Sequence, residues 1–441
     1  MGKHPLKGIV EAQKCGIPAG IYSACTANEL VIEAVMERAL KDTNYILIEA
    51  TANQVNQYGG YMGMKPADFK DFVFSLAQKT GFPKDKIILG GDHLGPLTWK
   101  NLTAEKALEE SKELIKQFVF AGFTKIHFDT SMHLGDDDAN TKLDTVVIAE
   151  RGAKLCEIAE KAFVELKARD PEALQPVYVV GSEVPIPGGS QEEEGIQITE
   201  AADFRDTVEA FKAAFYSRGL NYAWDNVIAV VVQPGVEFGD ESIHEYNRAA
   251  AQGLRCALKE YSNLVFEGHS TDYQTAGALK EMVEDGIAIL KVGPGLTYAL
   301  REGLFALNHI ENELLKASPD TKVSDFINVL DSAMVNNPEY WVKYYYGSRN
   351  SVELARKYSL SDRCRYYLPV REVKESLNLM MSNLKTREIP LTLISQYMPV
   401  QYTKIRNGLL KNDAESLVKD RVVNCIDTYL EATDLDKSFK W

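Results

Sequence analysis

The hydrophobic positions of this chain fall into eight short runs rich in β-branched and aliphatic residues, and each run ends in small or polar residues. Longer stretches lie between these runs, with apolar residues at helical spacing. Strands that alternate with helices in this way predict parallel strands joined by helical crossovers. The eight predicted strands span residues 19–25, 45–51, 86–92, 124–130, 177–183, 226–235, 264–270 and 288–295.

Eight such units predict an α/β fold, a (β/α)8 TIM barrel. The chain has 441 residues, which exceeds the roughly 250 residues of a typical barrel. The strand pattern stops near residue 320, and aromatic-rich helical segments follow it. We therefore predict a (β/α)8 barrel over residues 1–320 and a C-terminal helical region, packed on the barrel, over residues 321–441.

Local signals place several helices and loops. Thr103 precedes an amphipathic stretch that ends at Gly122, as expected for a capped helix, and similar signals open helices over 66–80 and 241–260. Long loops follow three strand ends, where loops of that length are usually functional. These predicted loops span residues 52–65, 131–140 and 184–200.

Composition narrows the class of protein. The formal net charge of -14 and the absence of a long Lys/Arg run argue against nucleic acid as a partner. The six cysteines are scattered singly, which favours a reducing, cytoplasmic setting. We find no signal peptide and no apolar stretch of about 18 residues, so we expect no membrane association. The Tyr- and Trp-rich C-terminal segments are typical of a core or a subunit interface, and we expect a homo-oligomer.

Candidate chemistry is concentrated at the predicted strand ends. Four of the seven histidines lie in or just after strand ends, namely His93, His127, His133 and His269. Acidic residues accompany them at Asp92, Asp129, Glu183, Glu267 and Asp272. Histidine and carboxylate ligands together suit a borderline divalent metal such as zinc, manganese, nickel or cobalt. A network of structural histidines is the alternative interpretation.

Strand alternation indicates which of these side chains share a face, because residues two apart point the same way. His127 and Asp129 form one such pair, and Glu267 and His269 form another. The residue nearest the carboxyl end of a strand is best placed to reach a ligand. This argument favours Asp129 and His269, together with Glu183 of the fifth strand.

The segment GGDHLGP at 90–96 places Asp92 beside His93 among glycines. Adjacent strand residues face opposite ways, but a strand that turns into a loop can bring both to one site. Asp92 is then a candidate base and His93 a candidate metal ligand. The alternative is an Asp92 that caps the following turn.

The segment KVGPGLT at 291–297 resembles a backbone phosphate site after the eighth strand of a barrel. Gly293 and Gly295 are therefore predicted to bind substrate through their N–H groups. The third glycine of G-x-G-x-x-G is missing, because Tyr298 stands in its place, and we find no P-loop. The sequence therefore gives no support to a dinucleotide cofactor or a kinase mechanism.

Motifs from most of the chain together resemble the GatZ/KbaZ family of tagatose-bisphosphate aldolase subunits. They are EATANQVNQYGGYMGM, GGDHLGPLTWKN, HFDTSMH, GSEVPIPGG, QPGVEF, EGHSTDYQ, KVGPGLT and QYMPVQYTKIRNGLL. The resemblance implies one of two activities. Family members are described as non-catalytic partners of a class II aldolase subunit, and relatives as metal-dependent 4-epimerases that act on fructose and tagatose or their 6-phosphates.

The resemblance also implies roles for individual residues. Asp92 and His93 are similar to the acid/base Asp and ligand His of catalytic class II aldolases. Gln233, and Glu267 or His269, stand where those aldolases have further ligand histidines, which argues against ordinary aldolase activity.

Inversion at C4 of a 2-ketose requires more than enolisation, because the C4 proton is not appreciably acidic. Retro-aldol cleavage of C3–C4, rotation of the aldehyde and re-addition would achieve it, with a metal and a proton-relaying carboxylate. We therefore predict a metal-dependent 4-epimerase of a ketose or ketose phosphate. The alternative is a subunit that supports a separate class II aldolase chain.

The epimerase hypothesis assigns a role to each candidate residue. Metal binding is predicted for His93, Glu183 and His269. Acid/base catalysis is predicted for Asp92, Asp129 and Asp272. Substrate binding is predicted for Gln233, Ser270, Gly293 and Gly295, with Gln233 also a possible further ligand.

Overall fold

Eight parallel strands close into a barrel in the computed structural model, which describes residues 3–42, 44–184, 197–316, 321–385 and 388–433. The barrel strands are β1 (Ile21–Cys25), β2 (Ile46–Thr51), β3 (Ile87–Leu94), β4 (Lys125–Phe128), β5 (Val177–Val180), β6 (Val227–Val232), β9 (Val265–Gly268) and β10 (Ile287–Val292). A separate antiparallel pair is formed by β7 (Glu237–Phe238) and β8 (Ile243–His244). The (β/α)8 fold predicted from the sequence is confirmed.

Helices connect the strands and cover the outside of the barrel. They are α1 (Pro5–Lys14), α2 (Glu29–Ala39), α3 (Pro66–Thr80), α4 (Ala104–Ala121), α5 (Thr145–Arg169), α6 (Ala201–Ser217), α7 (Asn221–Trp224), α8 (Gln252–Leu258), α9 (Ala276–Glu284) and α10 (Pro294–Leu315). The later helices are α11 (Phe326–Asn336), α12 (Arg349–Tyr358), α13 (Arg371–Lys385), α14 (Leu391–Tyr397), α15 (Pro399–Arg406) and α16 (Ala414–Thr433). No helix in these described ranges is long and apolar enough to cross a membrane.

Two helix predictions agree with the structure and one is wrong. The helix predicted over 66–80 is present, and α4 begins after Thr103 and ends at Gly122, whose φ is positive. The stretch 241–260 is helical only from Gln252. Its first part forms β8 and then a turn, in which the side chain of Asn247 accepts from the next backbone N–H groups. The helix therefore begins only after β8 and this turn, later than the sequence predicted.

The barrel interior is apolar at its amino-terminal end. Leu6, Ile9 and Val10 of α1 are buried there against strand residues such as Ile21 and Val177. Burial of such side chains supplies the main favourable term in folding. This apolar packing closes the amino-terminal end of the barrel, and the buried charged side chains described below lie toward the carboxyl ends of the strands.

The C-terminal helices pack on the barrel helices. α16 contacts α2, α9 and α10, and its Tyr429 donates a hydrogen bond to the backbone oxygen of Thr271, just after β9. The division into a barrel over 1–320 and a C-terminal region over 321–441 stays a prediction. Most of the predicted loop 184–200 lies outside the described residues.

Candidate active site

Charged side chains point into the barrel near the carboxyl ends of its strands. Glu49 on β2, Lys125 on β4, Glu267 on β9 and Lys291 on β10 are all at most 4% exposed. Lys125 lies between two carboxylates, 2.6 Å from Glu49 and 2.6 Å from Glu267. Buried charges are stable only when they are paired in this way. The strands thus support a fully buried ionic network.

Lys291 connects this network to Asp92, with its ammonium 3.1 Å from the carboxylate and a second contact to Glu49. Burial opposes charge on Lys291, but the nearby carboxylates raise its pKa well above the usual value. Burial also opposes charge on Asp92, but Lys291 and the neighbouring histidines hold its pKa well below the usual value. Both groups are therefore ionised at neutral pH, and Lys291 acts as a fixed positive charge rather than a free amine.

Three histidines meet at the same level, and a carboxylate holds one ring nitrogen of each. His127 Nδ1 lies 2.9 Å from Asp92, and His93 Nδ1 lies 2.8 Å from Asp129. His269 Nε2 lies 3.0 Å from Glu267. The ring centroids are 4.9 to 5.3 Å apart. This pairing fixes the rings and leaves the second nitrogen of each for another partner.

The residues present fit a divalent metal. Ligand atoms of Asp92, His127, Glu267 and His269 all lie within 4.8 Å of one another. His127 Nε2 is buried and has no hydrogen-bond partner in the described part of the chain. Burial lowers the pKa of His269 to about 4, so its imidazole is neutral and able to bind metal at pH 7.

The charge of the site also fits a cation. Four buried carboxylates, those of Glu49, Asp92, Asp129 and Glu267, accompany the two buried ammonium groups of Lys125 and Lys291. The carboxylates exceed the ammonium groups by two negative charges. A divalent ion of the histidine- and carboxylate-binding class would neutralise them.

Backbone strain is concentrated beside the same residues. His93 has φ 48° and Ser270 has φ 54°, both in the left-handed region that side chains other than glycine rarely adopt. The turn at His93 lies where the pairing of β3 with β4 shifts in register, and it brings Asp92 and His93 to one site. Strained non-glycine residues persist where the surroundings hold them and are frequent at functional sites.

A cavity of about 790 Å³ opens from this cluster toward the C-terminal helices. Its size is within the range of small-molecule sites. The side chains that line its inner end include Asp92, His93, His269 and Lys291. The cavity therefore brings a small molecule into contact with the ionised cluster.

Most of the sequence-predicted residues lie at this end of the barrel. Asp92, Asp129, His93 and His269 belong to the cluster, and Ser270, Asp272 and Gly293 line the cavity. Asp129 accepts from His93 and from Ser131, which makes it an orienting group in this structure. The roles assigned to these residues from the sequence stay predictions.

The predicted glycine site has an internal partner. The N–H groups of Gly293 and Gly295 donate to Asp272 Oδ1 over 3.0 and 2.7 Å. Burial raises the pKa of Asp272 to about 6. The carboxylate of Asp272 thus occupies the position that the sequence assigned to a phosphate.

Two predicted residues lie elsewhere. Glu183 is partly exposed, accepts from Thr199 and lies 3.5 Å from Lys142, so the structure does not bring it to the histidine cluster. The side-chain oxygen of Gln233 accepts from the N–H groups of Gly235 and Val236. It organises a turn, and this placement gives no support to a ligand or substrate-binding role.

Sequence reasoning missed Glu49, Lys125 and Lys291, and it assigned no role to His127. A signal for each was present, because an ionised residue inside an apolar strand is unusual unless it is paired. The runs ILIEAT, TKIHFDT and AILKVGPG contain these residues. The sequence argument favoured the last residue of each strand, and these residues lie earlier in their strands.

Replacing His127 with Gln is expected to weaken Zn²⁺ binding by about 100-fold or more, because the imidazole Nε2 has no other buried partner. Asp129→Asn acts through His93, which lies beside this ligand group and not in it, so we expect a smaller loss than for His127→Gln. Isothermal titration calorimetry with Zn²⁺ measures both effects. His244→Gln on the exposed strand β8 is the matched control. Equal affinity of His127→Gln and the unsubstituted chain would remove the metal assignment.

Comparison with known proteins adds the family context. Residues 6–434 match the family model described as D-tagatose-1,6-bisphosphate aldolase subunit GatZ/KbaZ-like. The chain is 46% identical over 425 residues to the D-tagatose-1,6-bisphosphate aldolase subunit GatZ of Salmonella gallinarum, covering 96% of this chain and 98% of that one. GatZ of Salmonella enteritidis gives the same values.

A solved structure with substantial identity has the same overall shape. It is described as a probable tagatose 6 phosphate kinase from Sinorhizobium meliloti 1021. It is 42% identical, with a TM-score of 0.85, and the match covers 94% of this chain and 100% of that one. The similarity therefore includes the barrel and the C-terminal helices together.

Proposed function

Because this chain belongs to the GatZ/KbaZ-like family of D-tagatose-1,6-bisphosphate aldolase subunits, we propose that it supports a separate class II aldolase chain acting on that ketose bisphosphate. The observation that carries the proposal is the extent of the similarity, which includes the C-terminal helices as well as the barrel. A protein that shared only the barrel would share a scaffold that hosts many unrelated chemistries. The comparisons therefore favour the subunit hypothesis over the 4-epimerase that the sequence placed first.

The second candidate is the metal-dependent 4-epimerase, and one structural observation favours it. Three carboxylate-held histidines lie at the inner end of a cavity of about 790 Å³. A supporting subunit has no need of such a costly cluster of buried charge. His127, His269 and Glu267 are the residues that would hold a divalent ion, which supplies Lewis acidity toward a substrate oxygen.

The residues of the chain itself suit the proton transfers of that reaction. Asp92 is ionised and lines the cavity, so it is the group proposed to take the proton of the C4 hydroxyl as the C3–C4 bond breaks. The same carboxyl returns the proton when the bond forms again on the other face of the aldehyde. Lys291 is held charged beside Asp92. Its ammonium group is proposed to stabilise the negative charge on the enediolate oxygen of the C1–C3 fragment.

A single experiment compares the two functions. The purified chain is supplied with Zn²⁺ and tested alone on fructose 6-phosphate, and it is tested in a mixture with a class II aldolase catalytic chain on tagatose 1,6-bisphosphate. The subunit proposal expects a stable complex and at least about a tenfold longer half-life of aldolase activity in the mixture. The epimerase candidate expects chelator-sensitive tagatose 6-phosphate from the chain alone, lost in Asp92→Asn.

The outcomes are distinct. Complex formation with slower loss of aldolase activity, and no product from the chain alone, supports the subunit function. Product from the chain alone, with no effect on the aldolase, replaces it with the epimerase. Absence of both effects contradicts both functions. Asp206→Asn, at an exposed position of α6, serves as the matched control variant for Asp92→Asn.

A further inference from the structure

Residues 359–367, here called the arginine segment, reach the cavity from the C-terminal region. The barrel holds this segment from three different places, the first turn of α10 and the loops that follow β7 and β9. Asp362 accepts from Thr297 at the start of α10 over 2.6 Å. Tyr273, just after β9, donates to the backbone oxygen of Leu360. The serine side chains of the segment donate to Asp240, which follows β7.

These contacts fix the segment in one conformation. Asp362 has φ 46°, in the left-handed region, and its carboxylate is also 3.3 Å from Arg301. A non-glycine residue adopts this conformation at a cost of about 1–3 kcal/mol, so the surroundings must impose it. The following residues, Arg363–Tyr367, form a short 3-10 helix. The side chains of Arg363 and Arg365 are thereby placed in the wall of the cavity.

The two arginines form no close ion pair in the described ranges, although Asp362 and Asp272 lie near enough to Arg365 to interact with it electrostatically. Arg363 is 4% exposed, donates to the backbone oxygen of Tyr340 over 3.0 Å, and has a buried Nε with no hydrogen-bond partner in the described residues. Arg365 donates only to the backbone oxygens of Ser361 and Asp362 and to Tyr366. Within the described ranges neither guanidinium has a carboxylate within 4.0 Å.

Other buried arginines of this chain are paired. Arg301 meets Asp362, and Arg151 meets Asp137 through two hydrogen bonds of 2.9 and 2.6 Å. An unpaired buried guanidinium is costly, because the protein replaces only part of its hydration. Its planar set of donors matches the oxygens of a phosphate or carboxylate. Arg363, which is buried, and Arg365, which is partly exposed, therefore present donors that suit an anionic ligand.

Among the described residues, the glycine N–H groups and the lysine at the inner part of the cavity are already paired. The N–H groups of Gly293 and Gly295 already donate to Asp272, and Lys291 is paired with Asp92 and Glu49. Positive charge that is available for a ligand lies at the outer end, where the exposed side chains of Lys100 and Lys374 also line the cavity. A ligand that spans the cavity meets the ionised cluster at one end and the arginines at the other.

We propose that Arg363 and Arg365 form a phosphate subsite, so that the cavity takes a phosphorylated ketose with its sugar toward Asp92 and its phosphate on the arginine segment. For the identity of the sugar, this inference rests on the second candidate under the proposed function, the 4-epimerase. It assigns the specificity for the phosphate to the C-terminal region and not to the glycine loop after β10.

Binding measurements on the full chain test the subsite directly. Isothermal titration calorimetry is performed with fructose 6-phosphate, fructose and inorganic phosphate on the unsubstituted chain, Arg365→Met and Arg365→Lys. We expect fructose 6-phosphate to bind at least about tenfold more tightly than fructose. Arg365→Met should weaken fructose 6-phosphate about 10- to 100-fold, the range for a hydrogen bond to a charged group, and leave fructose unchanged. Arg365→Lys should be intermediate, because it keeps the charge and loses the planar donors.

A matched control and a stability measurement separate this role from a structural one. Arg371→Met removes an arginine whose side chain is 88% exposed and should bind like the unsubstituted chain. Inorganic phosphate should raise the Tm of the unsubstituted chain and not that of Arg365→Met. If Arg365→Met fails to fold, the intermediate affinity of Arg365→Lys decides the question.

Two results would overturn the subsite. One is equal affinity for fructose 6-phosphate and fructose, and the other is unchanged phosphate selectivity in both Arg365 variants. Neither result depends on aldolase or epimerase activity. A different pair of results separates the subsite from the subunit function. If phosphate selectivity requires Arg365 but the chain has no effect on an aldolase, the subsite is supported and the subunit function is contradicted.

Discussion

Lys125→Met is expected to lower the free energy of unfolding by about 3–5 kcal/mol, the loss seen when one partner of a buried ion pair is removed. Lys125 is fully buried and lies 2.6 Å from both Glu49 and Glu267. Methionine fills a similar volume, but it removes the positive charge that lies between the buried carboxylates of Glu49 and Glu267. Denaturant unfolding followed by circular dichroism measures the change.

The pH dependence of this loss has a definite sign. In the native chain burial raises the pKa of Glu267, but Lys125 and Lys291 hold it below its usual range. A carboxyl group with a lowered folded-state pKa contributes stability that is present above its unfolded pKa and is lost as pH falls. Without Lys125 part of this contribution is missing, so the deficit should be larger at pH 7 than at pH 3.

Two further variants serve as controls for this prediction. Lys112→Met breaks a surface pair with Glu109, and we expect a change below about 1 kcal/mol. Adding Glu49→Gln to Lys125→Met should restore part of the stability, because it removes one of the uncompensated charges. A loss for Lys125→Met no larger than that for Lys112→Met would show that the buried network contributes little.

The barrel could be predicted from the sequence because its signals are local. Each strand is an apolar run that ends at a small or charged residue, and the observed bounds differ from the predicted ones by a few residues. The residues that meet in the centre depend instead on strand register, which no local pattern records. Lys125 pairs in register with Gly90 and Val177, and this pairing sets its level relative to Glu49 and Glu267.

Polar residues in loops were harder to place than those in strands. Gln233 and Glu183 have suitable chemistry, but their side chains hold the turn and loop that follow their strands. Gly293 and Gly295 form the expected cluster of N–H groups, yet their acceptor is the carboxylate of Asp272. A competing internal partner 21 or more residues away in the chain leaves no pattern in the local sequence.

The C-terminal arginines illustrate the same limit. Their sequence, DRCRYY, lies in an aromatic-rich helical region, which is typical of a core or interface. Their position at the cavity depends on the anchoring of the arginine segment by Thr297 and Tyr273. Those contacts join parts of the chain more than 60 residues apart, as the separation of 65 between Asp362 and Thr297 shows.

Gly95→Ala is expected to cost about 3 kcal/mol of stability, at the upper end of the range for overpacking. Gly95 has an extended backbone, so its conformation tolerates alanine, but the added Cβ would lie 1.8 Å from the backbone oxygen of Asp129. The backbone on one side must therefore move. Asp129 orients His93 through a bond of 2.8 Å, and the His93 ring lies beside His127. We therefore also expect Zn²⁺ binding to weaken, by less than in His127→Gln.

Gly253→Ala is the matched control for this substitution. Gly253 lies in α8 with no atom within 4 Å of an added Cβ, and alanine is the better helix former. We expect a gain of up to about 1 kcal/mol and unchanged Zn²⁺ affinity. Thermal unfolding and calorimetric titration of both variants provide the comparison. If Gly95→Ala retained full stability and metal affinity, the close approach between β3 and the segment after β4 would not be what holds Asp129 against His93.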